Sequence, residues 1–154
     1  MMLDDVAEAK KKQPINPRSP LPALQASVIV ETCPLFDETF TRHIVDNDQL
    51  RRKLDEFIAF KKSNPLARFG SSDKGDTGVI FDKEVPGIKH AHLTFDLSIW
   101  YTLSGSNPKV IRLYAIMSHD ESGTGQPVKV PVMKNVARKM AGQTRMFKPA
   151  TKIT

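Results

Sequence analysis

Three of the chain's four histidines fall in two short stretches rich in carboxylates, His90-Ala91-His92-Leu93-Thr94-Phe95-Asp96 and His119-Asp120-Glu121. Imidazole is the side chain whose ordinary pKa lies near neutrality, so histidines beside carboxylates suit proton transfer or metal binding. Alternation along a strand puts His90, His92 and Thr94 on one face and Ala91 and Leu93 on the other. The apolar pair suits a core, which leaves the histidines facing solvent or substrate. The same parity carried along Val110–Ser118 takes His119 to the side of Leu113 and Met117. Whether it meets His92 then depends on where that strand ends or bulges.

Two chemistries fit such a cluster. RNA can be cut without a metal when one group takes the 2′-OH proton, another protonates the departing 5′ oxygen and a cation stabilises the crowded phosphate. His90, His92, His119 and Asp96 supply the first kind of group, and Lys89, Arg112 and Arg68 are candidate phosphate contacts. The rival is a metal site on strands, His90-x-His92-x3-Asp96 with a distant His119. That spacing is similar to the first histidine motif of cupins. Gly87, however, lies only three residues upstream of His90, and the chain has too few predicted strands for a jelly roll. The leading expectation therefore has no cofactor and no metal.

The rest of the chain is basic. Its 154 residues carry 23 Lys and Arg against 17 Asp and Glu, a net charge of +6. No acidic residue follows Glu121, whereas Lys129, Lys134, Arg138, Lys139, Arg145, Lys148 and Lys152 do. Such asymmetry favours an acidic partner: nucleic acid, an anionic membrane or an acidic protein, with nucleic acid or an acidic protein preferred. The single cysteine, Cys33, excludes an internal disulfide and reads as a small buried residue. No apolar run approaches the roughly 20 residues that span a bilayer. The opening Met-Met-Leu-Asp-Asp-Val-Ala-Glu lacks a cationic stretch followed by an apolar one. The expectation is a cytoplasmic protein without membrane association.

The length allows one domain with a sizeable core. Residues 1–26, interrupted by Pro14, Pro17, Pro20 and Pro22, read as an extended or disordered arm. Residues 27–154 read as a single domain with a basic C-terminal extension from about 122. Ser27–Thr32 is β-branched and predicts a strand. Phe36, Phe40 and Ile44 recur at helical spacing. Leu50, Leu54, Phe57 and Ile58 then mark an amphipathic helix over 48–62, capped by Asp46-Asn47 and ended by Asn64-Pro65. Residues 64–87 read as a long loop that holds a short strand at Val79-Ile80-Phe81. Strands follow at Lys89–Thr94, Leu97–Leu103 and Val110–Ser118, divided by turns at Phe95-Asp96 and Gly105–Pro108, as in an antiparallel meander. A last helix begins near Pro131, carries Met133, Val136, Ala137 and Met140, and stops at Gly142. Strands grouped together with helices on one side describe an α+β sandwich.

Residues 87–119 resemble the central segment of RelE/ParE-superfamily toxins, most of all the YafQ branch. There a glycine-led strand carries Ala-His, here Ala91-His92. An Asp stands four residues later, here Asp96, and the next strand ends in a Tyr, here Tyr101. A final strand ends in a histidine, here Leu113–His119. The resemblance implies an α+β fold, with an antiparallel sheet packed against an N-terminal helical hairpin and, in this chain, an extra C-terminal helix. It also implies an mRNA interferase that cleaves mRNA on the ribosome without a metal and is neutralised by an acidic antitoxin. His92 and His119 would be the proton-transfer pair and Asp96 would orient a histidine or act as a base. His90 would be an additional phosphate contact, and Tyr101 would lie against substrate. The chain departs from that branch in two places. No histidine lies between Ile44 and Lys89, and Asp120-Glu121-Ser122-Gly123 stands where the branch has an aromatic residue. A non-catalytic relative that acts by binding a protein or nucleic acid is the alternative, and the metal enzyme is the third reading.

Overall fold

The computed structural model describes residues 28–70, 73, 78–104 and 108–150. The expected arm, 1–26, lies outside the described residues, as does most of the turn at Gly105–Pro108.

The chain starts with strand β1 (Ile29–Thr32) and turns through Cys33 into helix α1 (Pro34–His43), where Pro34 suits a first turn that needs no N–H donor. Helix α2 (Asp48–Ser63) is capped by the Asn47 side chain, which accepts the Leu50 N–H. Then come α3 (Val79–Glu84), β2 (Lys89–His92), β3 (Leu97–Leu103), β4 (Val110–Ser118), the single helical turn α4 (His119–Ser122), α5 (Val130–Ala141) and β5 (Lys148–Pro149). The sheet order is β2-β3-β4-β1-β5. Among the described residues no helix is long and apolar enough to cross a membrane.

The α+β class is as expected, with three corrections. First, the sheet is mixed, not antiparallel: β1 runs parallel to β4, while β2, β3, β4 and the β1–β5 pair are antiparallel. A parallel partner needs a long crossover, and the segment between β1 and β2, with its helices, supplies one. Second, Val79-Ile80-Phe81 opens a helix, not a strand. The Asp82 N–H donates to the Gly78 carbonyl and the Asp82 carboxylate accepts the Gly87 N–H, which closes a compact turn. Third, both faces of the sheet are covered. Phe57 of α2 meets Tyr101 edge-on at 5.2 Å on one face, and Phe81 of α3 lies 4.6 Å from Trp100 on the other. Helix α5 packs against α3 and buries Ala137 and Met140. This explains why β4 is apolar along both of its faces, as a strand covered on two sides must be.

One irregularity decides which residues share a face. Trp100 pairs with Ala115 but Tyr101 pairs with Leu113, so Tyr114 is an extra residue in β4. Leu113 therefore faces α1 and α2 with Tyr101, whereas Ala115 and Met117 face the other side with Trp100 and Ser98. Helix α1 also serves β4 directly, because the Thr39 hydroxyl accepts the Ile116 N–H at 3.0 Å.

The segment that follows α2 is held by a buried ion pair. Lys61 Nζ lies 2.7 Å from Asp73 Oδ2, both side chains are only 2% exposed, and Lys61 also donates to the Ala67 carbonyl. Asp73 further accepts the Tyr101 hydroxyl and the Phe69 N–H. Burial, reinforced by this carboxylate, pushes the Tyr101 phenol above its ordinary pKa. Removing one member of a buried pair strands the other charge. Lys61→Met and Asp73→Leu are each expected to lower unfolding free energy in urea by about 3–5 kcal/mol. The double replacement should recover much of that loss; equal additive losses would show that the pair does not act as a unit.

Candidate active site

His92 and His119 face each other, with ring centroids 5.5 Å apart and planes at 68°. The Tyr114 bulge brings them together. Counted without it, β4 sends His119 toward the face of Leu113; with it, Met117 and, two residues on, His119 lie on the face of Ser98, whose cross-strand neighbour is His92. Strand geometry also stops at Ser118, and His119 is the first residue of α4. Ser118 accepts the Glu121 N–H while the Glu121 carboxylate accepts the Ser118 N–H, a reciprocal capping box that fixes the turn. Gly123 ends it at φ +79°, where a β-carbon would come within 3 Å of Lys129 and Met133, so the next segment packs directly on the turn.

Asp96 orients His119. Its Oδ1 accepts the His119 backbone N–H at 3.2 Å and lies 3.3 Å from the ring Nδ1. The carboxylate is largely exposed, so the contact adds little to stability; what it does is place a negative charge beside the His119 ring. His92 is held below the ordinary histidine pKa, chiefly by burial and next by the charge of a protonated His119, with Asp96 opposing. It is thereby kept neutral, as a general base must be. Two buried polar atoms on this face, Ser98 Oγ and Trp100 Nε1, have no protein partner. They lie opposite His92 and His90 in the ladder. Unsatisfied polar atoms cost stability and are concentrated at functional sites.

The other expected site residues are distributed differently. His90 shares the face but stacks on Trp100 at 4.9 Å, with its ring 6.0 Å from that of His92. Among the described residues no three His, Cys, Asp or Glu side chains are placed to hold a metal ion, so the His90–His92–Asp96–His119 spacing does not close into the coordination site of the rival metal reading. Lys89 and Arg68 line a small pocket with Lys61 and Asp73 on the opposite face of the sheet. Alternation places Lys89 opposite Tyr101, away from its two histidine neighbours. Tyr101 is buried and lines that same pocket with Lys89 and Arg68, away from the histidine pair. Arg112 pairs with Glu31 at 3.0 Å and lies over Phe147, roughly 16 Å along β4 from Met117.

Asp120 and Glu121 do not add carboxylates to the histidine pair. Asp120 pairs with Lys129 at 3.0 Å. Glu121 is turned toward α1, where it meets Arg42 at 2.6 Å and the fourth histidine, His43, at 2.7 Å. Burial raises its pKa, but the Ser118 N–H, Arg42 and His43 outweigh that and hold the carboxylate below its ordinary value. Sequence reasoning missed this support, although Ser118-x-x-Glu121 is a visible capping signature. Beside His119 runs a groove of about 350 Å³ lined by Asp96, Asp120, Gly125, Gln126 and Lys129. Cys33 is buried with its thiol pushed up to about 11 by burial, which suits the expected packing role.

Compared with known families, curated proteins and solved structures, the chain matches none. The site must therefore be judged on its own geometry. If His92 feels His119 as this geometry requires, its NMR titration midpoint lies below about 6.5 and rises in His119→Gln. Asp96→Asn moves it the other way, because that carboxylate favours the charged form. A midpoint indifferent to both substitutions would show that the rings do not face each other in solution.

Proposed function

We propose that the protein is a metal-independent endoribonuclease of the RelE/ParE toxin type, acting on mRNA in the cytoplasm. The observation that carries this reading is the facing pair His92 and His119, one held neutral and the other anchored through Nδ1 to Asp96. Two imidazoles in different environments are what paired acid and base catalysis needs.

In this reading neutral His92 accepts the proton of the 2′-OH as that oxygen bonds to the adjacent phosphorus. His119 gives a proton to the 5′ oxygen as the phosphorus–oxygen bond breaks. The products are a 2′,3′-cyclic phosphate and a free 5′-OH, and His92 leaves the step protonated and His119 neutral. Asp96, 3.3 Å from the His119 Nδ1, is the carboxylate beside that ring. Lys129, in the groove beside His119, is the nearest candidate for phosphate charge. The basic surplus of the chain supports a polyanionic substrate. The order of β1, two helices and the β2–β4 meander supports the family reading, and with it an acidic antitoxin as partner and programmed ribosomes as the natural setting.

The test is cleavage of 5′-labelled mRNA, free and on programmed ribosomes, with EDTA present throughout. Wild type is expected to cut, and His92→Ala and His119→Ala each to lose about 10²–10⁴-fold in rate, with a cyclic phosphate at the new 3′ end. Binding without cleavage would sink the catalytic reading in favour of a non-catalytic relative. Cleavage that survives both substitutions would place the chemistry elsewhere.

A further inference from the structure

The large apolar residue most open to solvent among those described is Phe95, at 90% exposure, and it immediately precedes Asp96, whose carboxylate meets His119. It sits at the tip of the β2–β3 hairpin, between Thr94 and Asp96. The next residue in the chain is thus the one that holds His119, and consecutive Cα atoms are about 3.8 Å apart. The tip is not a loose end. The Leu93 and Thr94 N–H groups both donate to the Leu97 carbonyl, and the Leu97 N–H donates to the Thr94 hydroxyl. Leu93 and Leu97 are buried on either side and root the turn in the core. The ring is therefore presented to solvent by a braced backbone.

We propose that Phe95 is a stacking platform for a nucleobase of the RNA strand lying across His92 and His119. This rests on the RNA reading above and adds to it how the strand is gripped. A phenyl ring has no hydrogen-bonding group and every base has a π-face, so such a contact tolerates sequence and holds a single strand without choosing it. The setting favours a base over a protein. Both neighbours of Phe95 in the turn are exposed and polar, and among the described residues none of the other exposed large apolar side chains lies in the β2–β3 hairpin. A protein interface wants a contiguous apolar centre; a stacked base needs one accessible ring. The contact would also place the neighbouring phosphodiester against the pair that Asp96 orients, which couples binding to positioning.

The experiment uses the full chain carrying His119→Ala, so that RNA is bound and not cut. Affinity for short single-stranded oligouridylate and oligoadenylate is read by fluorescence anisotropy at one fixed salt concentration. Phe95→Ala is expected to raise Kd about tenfold to a hundredfold for both oligomers. Phe95→Trp should restore affinity, with indole emission quenched on binding, whereas Phe95→Leu should not. In the cleaving enzyme Phe95→Ala should lower kcat/KM by a similar factor, and Phe95→Trp should restore it. Unchanged RNA affinity in Phe95→Ala, with wild type still cleaving, would overturn the stack alone and leave a protein contact as the ring's remaining role. Absence of both RNA binding and cleavage in wild type would overturn the RNA reading and the stack with it.

Discussion

Everything at the candidate site depends on one extra residue in β4. Had β4 kept strict alternation, Leu113, Ala115, Met117 and His119 would share a side with Tyr101, buried under α2. The bulge at Tyr114 rotates the second half of the strand by one position. Leu113 can then fill the core beneath α1 and α2 while Ala115 and Met117 fill the second, smaller core beneath α3 and α5. His119 emerges where His92 already points. The bulge thus solves a packing problem and a chemical one together. A strand covered on both faces must supply apolar side chains to each, yet its end must deliver a polar group to one of them.

Electrostatics then decide which groups are left to act. The stretch His119-Asp120-Glu121 holds a histidine and two carboxylates in adjacent positions, but a helical turn spreads them over different directions. Glu121 is consumed by the cap and by Arg42 and His43, and Asp120 by Lys129. Asp96, from another strand end, is the carboxylate that reaches His119. The result is a site with one oriented imidazole, one imidazole kept neutral by burial and like charge, and a single carboxylate between them in role. The same folding that concentrates Lys89 and Arg68 near Lys61 removes them to the far face of the sheet, so they are not contacts at the histidines and bear on that face mainly through the field of the chain's net charge.

What could be seen in the sequence was what local periodicity carries. The helix at 48–62 extends by one residue, the strands Leu97–Leu103 and Val110–Ser118 are found with those limits, and the last helix stops where Gly142 stands. Whether His119 would meet His92 was open in the sequence, because strand parity alone sends His119 toward Leu113 and the register shift at Tyr114 has no local signature. What could not be seen depends on distant partners. The direction of β1 relative to β4 is set by a crossover, not by any residue in β1. Val79-Ile80-Phe81 is too short to show a period, and Trp100 across the sheet draws Phe81 inward. Tyr101 entered as a site residue through the family resemblance, and nothing in the sequence signals that its hydroxyl donates to Asp73, 28 positions away in the chain. The β4 bulge leaves no local mark, since Tyr114 serves equally well in a strand with or without it.

His90 and His92 show how far residue type and face fall short of a role. They are the same side chain, two positions apart, on the same side of the same strand. Opposite His90 stands Trp100, a large flat surface that takes the imidazole as a stacked neighbour and closes it off from His119. Opposite His92 stands Ser98, too small to cover it, and beyond Ser98 lies Met117, two residues short of His119. The difference between a packed histidine and a facing pair is therefore written in the adjacent strand. It follows that the chemistry of β2 is controlled by the large–small alternation of Trp100 and Ser98 in β3. Enlarging Ser98 or shrinking Trp100 would reassign the histidines without touching either one.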